Sequence, residues 1–134
     1  LGWEPWRPAL TDLVTLAAFR RREASGVERQ AAEALGRALL EAIARDSAAA
    51  GARPILLYLP AGGDLTTLDR QSADEAFFFG ACRSIGERVP QLVCGSARPA
   101  FAAAAARGEI FEPGRHWGPA GHRAAAEAAA ALLR

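Results

Sequence analysis

Apolar residues recur every four positions between Val27 and Ala50, at Ala31, Leu35, Leu39 and Ile43. This spacing predicts one helix of about six turns with that stripe turned to the core. Gly51 closes it as a C-cap. Ile55 to Leu59 is an unbroken apolar run between Pro54 and Pro60, the pattern of a parallel strand covered on both faces. Ala61-Gly62-Gly63-Asp64 follows as a plain turn, because no Lys-Ser/Thr pair comes after it to make a phosphate loop. Ser72 or Asp74 caps a helix from Glu75 to about Arg88, and Phe77, Phe78 and Phe79 on it are core packing. Pro90 opens a second short strand, Gln91 to Cys94. Ser96 then precedes a helix from Pro99 to Arg107 that Gly108 ends, and Pro119 to Arg134 is a closing helix. At the other end, Leu1 to Pro8 reads as an irregular lead-in anchored by Trp3 and Trp6, and Thr11-Asp12 caps a short helix to about Arg22. Helices alternating with apolar strands predict an α/β class with a parallel sheet flanked by helices.

The length of 134 residues suits one domain over 1–134. A net charge of +1, from 16 basic and 15 acidic residues, builds no field for nucleic acid or an anionic membrane. No apolar run approaches the ~20 residues of a membrane helix, and no secretory leader pattern opens the chain. Every basic residue is Arg and Met is absent, a bias expected of a GC-rich bacterial genome. Leu1 is therefore not a translation start, and the sequence is expected to be a processed product or a fragment. The compartment is left open by these features. Cys82 and Cys94 lack the spacing of a metal site and read as small buried residues, with a bridge between them only in an exported protein.

The chemistry concentrates in Gly114-Arg115-His116-Trp117-Gly118-Pro119-Ala120-Gly121-His122-Arg123, a loop running into the last helix. A histidine just before a helix start is well placed as a general base. This block resembles the final motif of the SGNH/GDSL hydrolases, in the subgroup that reads approximately Asp-x-His-Trp-Asn-Pro-Ala-Gly-His before a terminal helix. The segment Arg98-Pro99-Ala100-Phe101 also fits that group's Val-Leu-Asp-Leu-Thr-Pro-Ala-Phe block, with Ser96 at the acidic position. The resemblance begins around the helix before Gly51 and runs to Arg134. It implies a flavodoxin-like SGNH hydrolase fold, incomplete at its N-terminus, with His116 as the catalytic histidine.

In that family the histidine deprotonates a serine held in a Gly-Asp-Ser block, and an oxyanion hole includes a later Gly and Asn. Those blocks are missing here. Ser25, Ser47, Ser72, Ser84 and Ser96 lie in no nucleophile motif, and helix capping accounts for Ser72 and Ser96. Gly114 stands where the family keeps its aspartate, and Gly118 replaces the Asn. Glu112, four residues before His116, is the candidate substitute carboxylate, although Pro113 restricts its path. Trp117 is the candidate lining of an acyl or sugar pocket, or a pin for the loop, and an Arg115–Glu112 pair is open to form. His122 is expected to stabilise the loop. No metal ligand set is present, zinc included, and no cofactor is implied.

The expected function is therefore an ester hydrolase or O-acyl transfer activity on a small-molecule or saccharide ester, of which this chain carries the histidine-bearing part and is inactive alone. The alternative is a degenerate, non-catalytic carbohydrate-binding or interaction module, which Gly114 favours. A half-domain of this kind also exposes a sheet edge to which another chain can pair.

Overall fold

The computed structural model describes residues 26–109, 111 and 117–134. The expected helix over 11–22 and its Trp anchors lie outside the described residues. The chain divides into two compact units, Leu1–Gly36 and Arg37–Arg134. Of the first, the described part is the opening stretch of helix α1 (Gly26–Ala49). The second holds the rest of α1, strand β1 (Ile55–Tyr58), a 3-10 helix (Gly62–Thr66), α2 (Ala73–Gly86), β2 (Val93–Ser96), α3 (Arg98–Ala106) and α4 (Pro119–Leu132). The class is α/β, with four α-helices and a two-stranded parallel sheet among the described residues.

Helix α1 ends where its sequence says it should. Gly51 takes φ +76°, its N–H reaches the Ala48 carbonyl at 3.0 Å, and the Ala52 N–H reaches the Ser47 carbonyl at 2.9 Å. Those two bonds form a Schellman cap. Its orientation, however, corrects the expected stripe. Leu39 and Ile43 are both 55% exposed and Leu35 is exposed as well, whereas Leu40, Ala44 and Ala48 pack on Ala81, Ile85, Val89 and Leu92. Steps of four residues advance a helix by about 40° beyond a full turn, so several fourfold series coexist on one helix. The series holding Leu40, Ala44 and Ala48 is the one that faces inward.

Strands β1 and β2 pair in register from Ile55↔Val93 to Tyr58↔Ser96. Every residue of both strands is half-buried, so β1 is less covered than its apolar run implies. The second strand starts two residues later than expected. Pro90 occupies the second position of a turn closed by Leu92 N–H to the Val89 carbonyl at 2.9 Å, the place proline prefers in such a turn, and the strand begins only beyond it. The expected plain turn after β1 tightens into the 3-10 helix, which buries Leu65.

The two cysteines are also corrected: Cys82 on α2 and Cys94 on β2 form a disulfide, with Cα atoms 6.4 Å apart. It closes a short loop across a sequence separation of 12, for which chain entropy alone gives about 3 kcal/mol. A strand leaving α2 through one turn runs back along it, and this path brings the two sulfurs together.

A second apolar cluster, of Leu65, Ala97, Phe101, Ala104 and Ala124, fills the space between the 3-10 helix, α3 and α4. Phe101 is fully buried there, worth about 1.5–3 kcal/mol as transferred apolar area. Among the described residues, no helix is long and apolar enough to cross a membrane.

Candidate functional site

The carboxyl ends of β1 and β2 carry a polar cluster, where open α/β sheets place their ligand sites. Tyr58 ends β1 and Ser96 ends β2. The 3-10 helix brings Asp64, the first turn of α2 brings Ser72 and Glu75, and the first residue of α3 is Arg98. Ser72 is the N-cap of α2, accepting from the Glu75 N–H at 3.2 Å. It satisfies a helix-end donor that would otherwise be orphaned.

Glu75 is almost fully buried and uses both carboxylate oxygens. Oε1 accepts from Ser96 Oγ at 2.5 Å and Oε2 from Arg98 Nε at 2.5 Å. Ser96 Oγ in turn accepts the Arg98 N–H at 3.1 Å. Arg98 Nη1 donates to the Thr67 carbonyl at 3.0 Å, tying the loop after the 3-10 helix to α3. Nη2 lies 3.4 Å from Asp64 Oδ2, near enough for attraction, yet it finds no hydrogen-bond acceptor among the described residues. The ion pair is therefore electrostatic at that nitrogen, while the hydrogen-bonded contact is with Glu75.

Tyr58 donates its hydroxyl to Asp64 Oδ2 and meets Ser72 Oγ at 3.1 Å. Burial and the bond to Asp64 push the phenol up to about 12, although Ser72 opposes the shift. Phe78 packs on the Tyr58 ring with centroids 5.7 Å apart. The cluster thus keeps Tyr58 protonated and both serine hydroxyls hydrogen-bonded to carboxylates, Ser72 to Asp64 and Ser96 to Glu75.

Around the loop singled out by sequence, Glu112, Gly114, Arg115 and His116 lie outside the described residues, and the Arg115–Glu112 pair with them. Both flanks are described. Phe111 before it and Trp117 after it pack against the same ring, Phe101, one tilted and one edge-to-face, at 4.9 and 5.6 Å between centroids. Trp117 is half-buried and also meets the exposed His122 edge-on at 6.0 Å. Gly121 is required by this packing: a Cβ there would sit 2.4 Å from Trp117 Cβ, an atom the backbone holds in place. Pro119 occupies the first turn of α4, a position where its missing N–H is harmless.

A second set of charges joins the two flanks. Glu109 accepts from Arg107 at 3.0 Å and from Arg123 on α4 at 2.7 Å. Those guanidiniums hold the Glu109 carboxyl below its usual range, Arg123 most strongly, and Glu109 raises Arg123 in return.

Of the three site residues expected from sequence, the described structure thus includes Trp117, anchored on the apolar cluster. Sequence reasoning missed the Tyr58, Asp64, Ser72, Glu75, Ser96 and Arg98 constellation. One signal was present: Glu75 falls in line with Phe78, Cys82 and Ile85 on the buried face of α2, and a carboxylate in an apolar stripe needs a partner. Comparison with family models, with curated proteins and with solved structures finds no match to this chain.

Proposed function

We propose that this chain is the histidine-bearing part of an SGNH-type serine ester hydrolase or O-acyl transferase, of flavodoxin-like architecture, acting on a small-molecule or saccharide ester. The observation that carries the reading is the block His116-Trp117-Gly118-Pro119-Ala120-Gly121-His122 leading into α4. Its resemblance to the family's last motif is supported by the physical use of two of its residues. Gly121 makes room for Trp117, and Pro119 fits the helix start.

His116 is the general base in this reading, and Glu112 the carboxylate that orients its ring. Trp117 lines the acyl or sugar pocket. The serine nucleophile and oxyanion hole belong to a Gly-Asp-Ser block that this sequence does not contain, so the chain alone is inactive. No metal or cofactor takes part. The outer edges of the two-stranded sheet are where another chain would pair.

The test is turnover of 4-nitrophenyl acetate by the complete gene product. His116→Ala is expected to lower it by about 10²–10⁴-fold, the usual contribution of a general base, with the circular dichroism spectrum unchanged. Unchanged turnover overturns the assignment. Gly114, standing at the aspartate position, favours a second reading as a non-catalytic carbohydrate-binding or interaction module. That reading holds if the complete product has no turnover, binds saccharide, and gains no activity from Gly114→Asp.

A further inference from the structure

Glu75 and Cys82 are seven residues apart on α2, about 20° short of two full turns, so they share one helix face. Cys94 and Ser96 are two apart on β2 and share one strand face. The Cys82–Cys94 bond and the Ser96–Glu75 hydrogen bond are therefore successive rungs between the same face of α2 and the same face of β2. The second rung continues through Arg98 to the Thr67 carbonyl. Helix α2 also supplies Ser72 and Phe78 around Tyr58. Whatever fixes α2 on β2 thus fixes the whole polar cluster.

We propose that the Cys82–Cys94 bridge is a redox latch on this cluster, opened by a dithiol reductant and loosening the Glu75–Ser96–Arg98 network when it opens. A thiolate of the reductant attacks the Cys94 sulfur, the more exposed of the pair, and Cys82 leaves as a thiolate. The reductant's second thiolate then displaces Cys94 and closes the reductant's own disulfide. Two electrons pass to the bridge, and the two protons of the dithiol end on Cys82 and Cys94. Coupling of this kind is reciprocal: if the open bridge weakens the network, a weakened network must make the bridge easier to open.

The test equilibrates the chain in mixtures of reduced and oxidised dithiothreitol, traps thiols by alkylation and counts them by mass. Ser96→Ala is expected to reach half-reduction at a ratio of reduced to oxidised reagent at least about five-fold lower than the unsubstituted chain. Glu109→Gln, in the exposed ion cluster, is expected to leave that ratio unchanged. Equal ratios for Ser96→Ala and the unsubstituted chain overturn the proposal, as does a bridge that stays closed in large excess of reduced reagent.

Amide hydrogen exchange tests the same idea without a variant. The Glu75 and Arg98 amides, held by Ser72 Oγ and Ser96 Oγ, should exchange faster in the reduced chain while α4 amides keep their rates. Unchanged rates at Glu75 and Arg98 overturn the latch. So does accelerated exchange everywhere, which would make the bridge a staple of the whole fold.

Discussion

The Glu75–Arg98–Asp64 cluster and the Glu109–Arg107–Arg123 cluster use the same chemical groups at similar separations and differ in their surroundings. Side chains of Arg98 and Glu75 are 9% and 4% exposed, while those of Arg107 and Arg123 are 53% and 57% exposed. Water can replace either partner in the second cluster. It cannot do so in the first, where Glu75 and Arg98 are both buried and the loss of either leaves the other charge uncompensated. Similar contact geometry therefore has two different energetic meanings, and the surroundings decide which.

The hardest test of this contrast is Arg98→Ala. It leaves Glu75 uncompensated and is expected to cost about 3–5 kcal/mol in urea unfolding. A loss as small as that of a surface substitution would refute the distinction. Replacing both partners, as Arg98→Met with Glu75→Leu, should recover most of that loss, because the stranded charge and not the missing pair makes the single variant unstable. A double-mutant cycle measures the recovery.

Tyr58 offers a spectroscopic view of the buried side. It is the single tyrosine of the chain, so phenolate absorbance near ~295 nm should report its midpoint of about 12 against the ordinary value of about 10. Because the folded-state value is the raised one, stability is constant below the ordinary value and falls as pH rises toward about 12. A midpoint at the ordinary value in the folded chain would show that the hydroxyl is not enclosed.

The exposed cluster should give the smallest effects, of opposite pH sense. Glu109 is held below its usual range, so its contribution is present at neutral pH and is lost as pH falls below the ordinary carboxylate range. Arg123→Ala should weaken that acid dependence, Arg107 keeping part of it, and leave the urea midpoint at neutral pH nearly unmoved, the more so in ~1 M salt. A large shift at high salt would place this cluster with the buried one.

Much of the scaffold is legible in the sequence because its determinants are local. Gly51 stops α1, Ser72 starts α2, and the apolar run at Ile55 makes β1. The inward face of α1 is not local. Leu39 and Leu40 are equally apolar neighbours, and only the fit of Ala44 against Ala81 and Ile85 selects between them. The polar cluster is less local still, since Tyr58, Glu75 and Arg98 meet only once two parallel strands and their crossover helix are in place. Glu75 among apolar neighbours was the one readable trace. The loop block was the reverse case, legible as a motif, with Trp117 and Gly121 explained by packing.

The shared footing of Phe111 and Trp117 on Phe101 has an engineering consequence. Both ends of the intervening segment are set by the scaffold and not by the segment's own length. Phe101 is therefore a single position through which one substitution would loosen both flanks together.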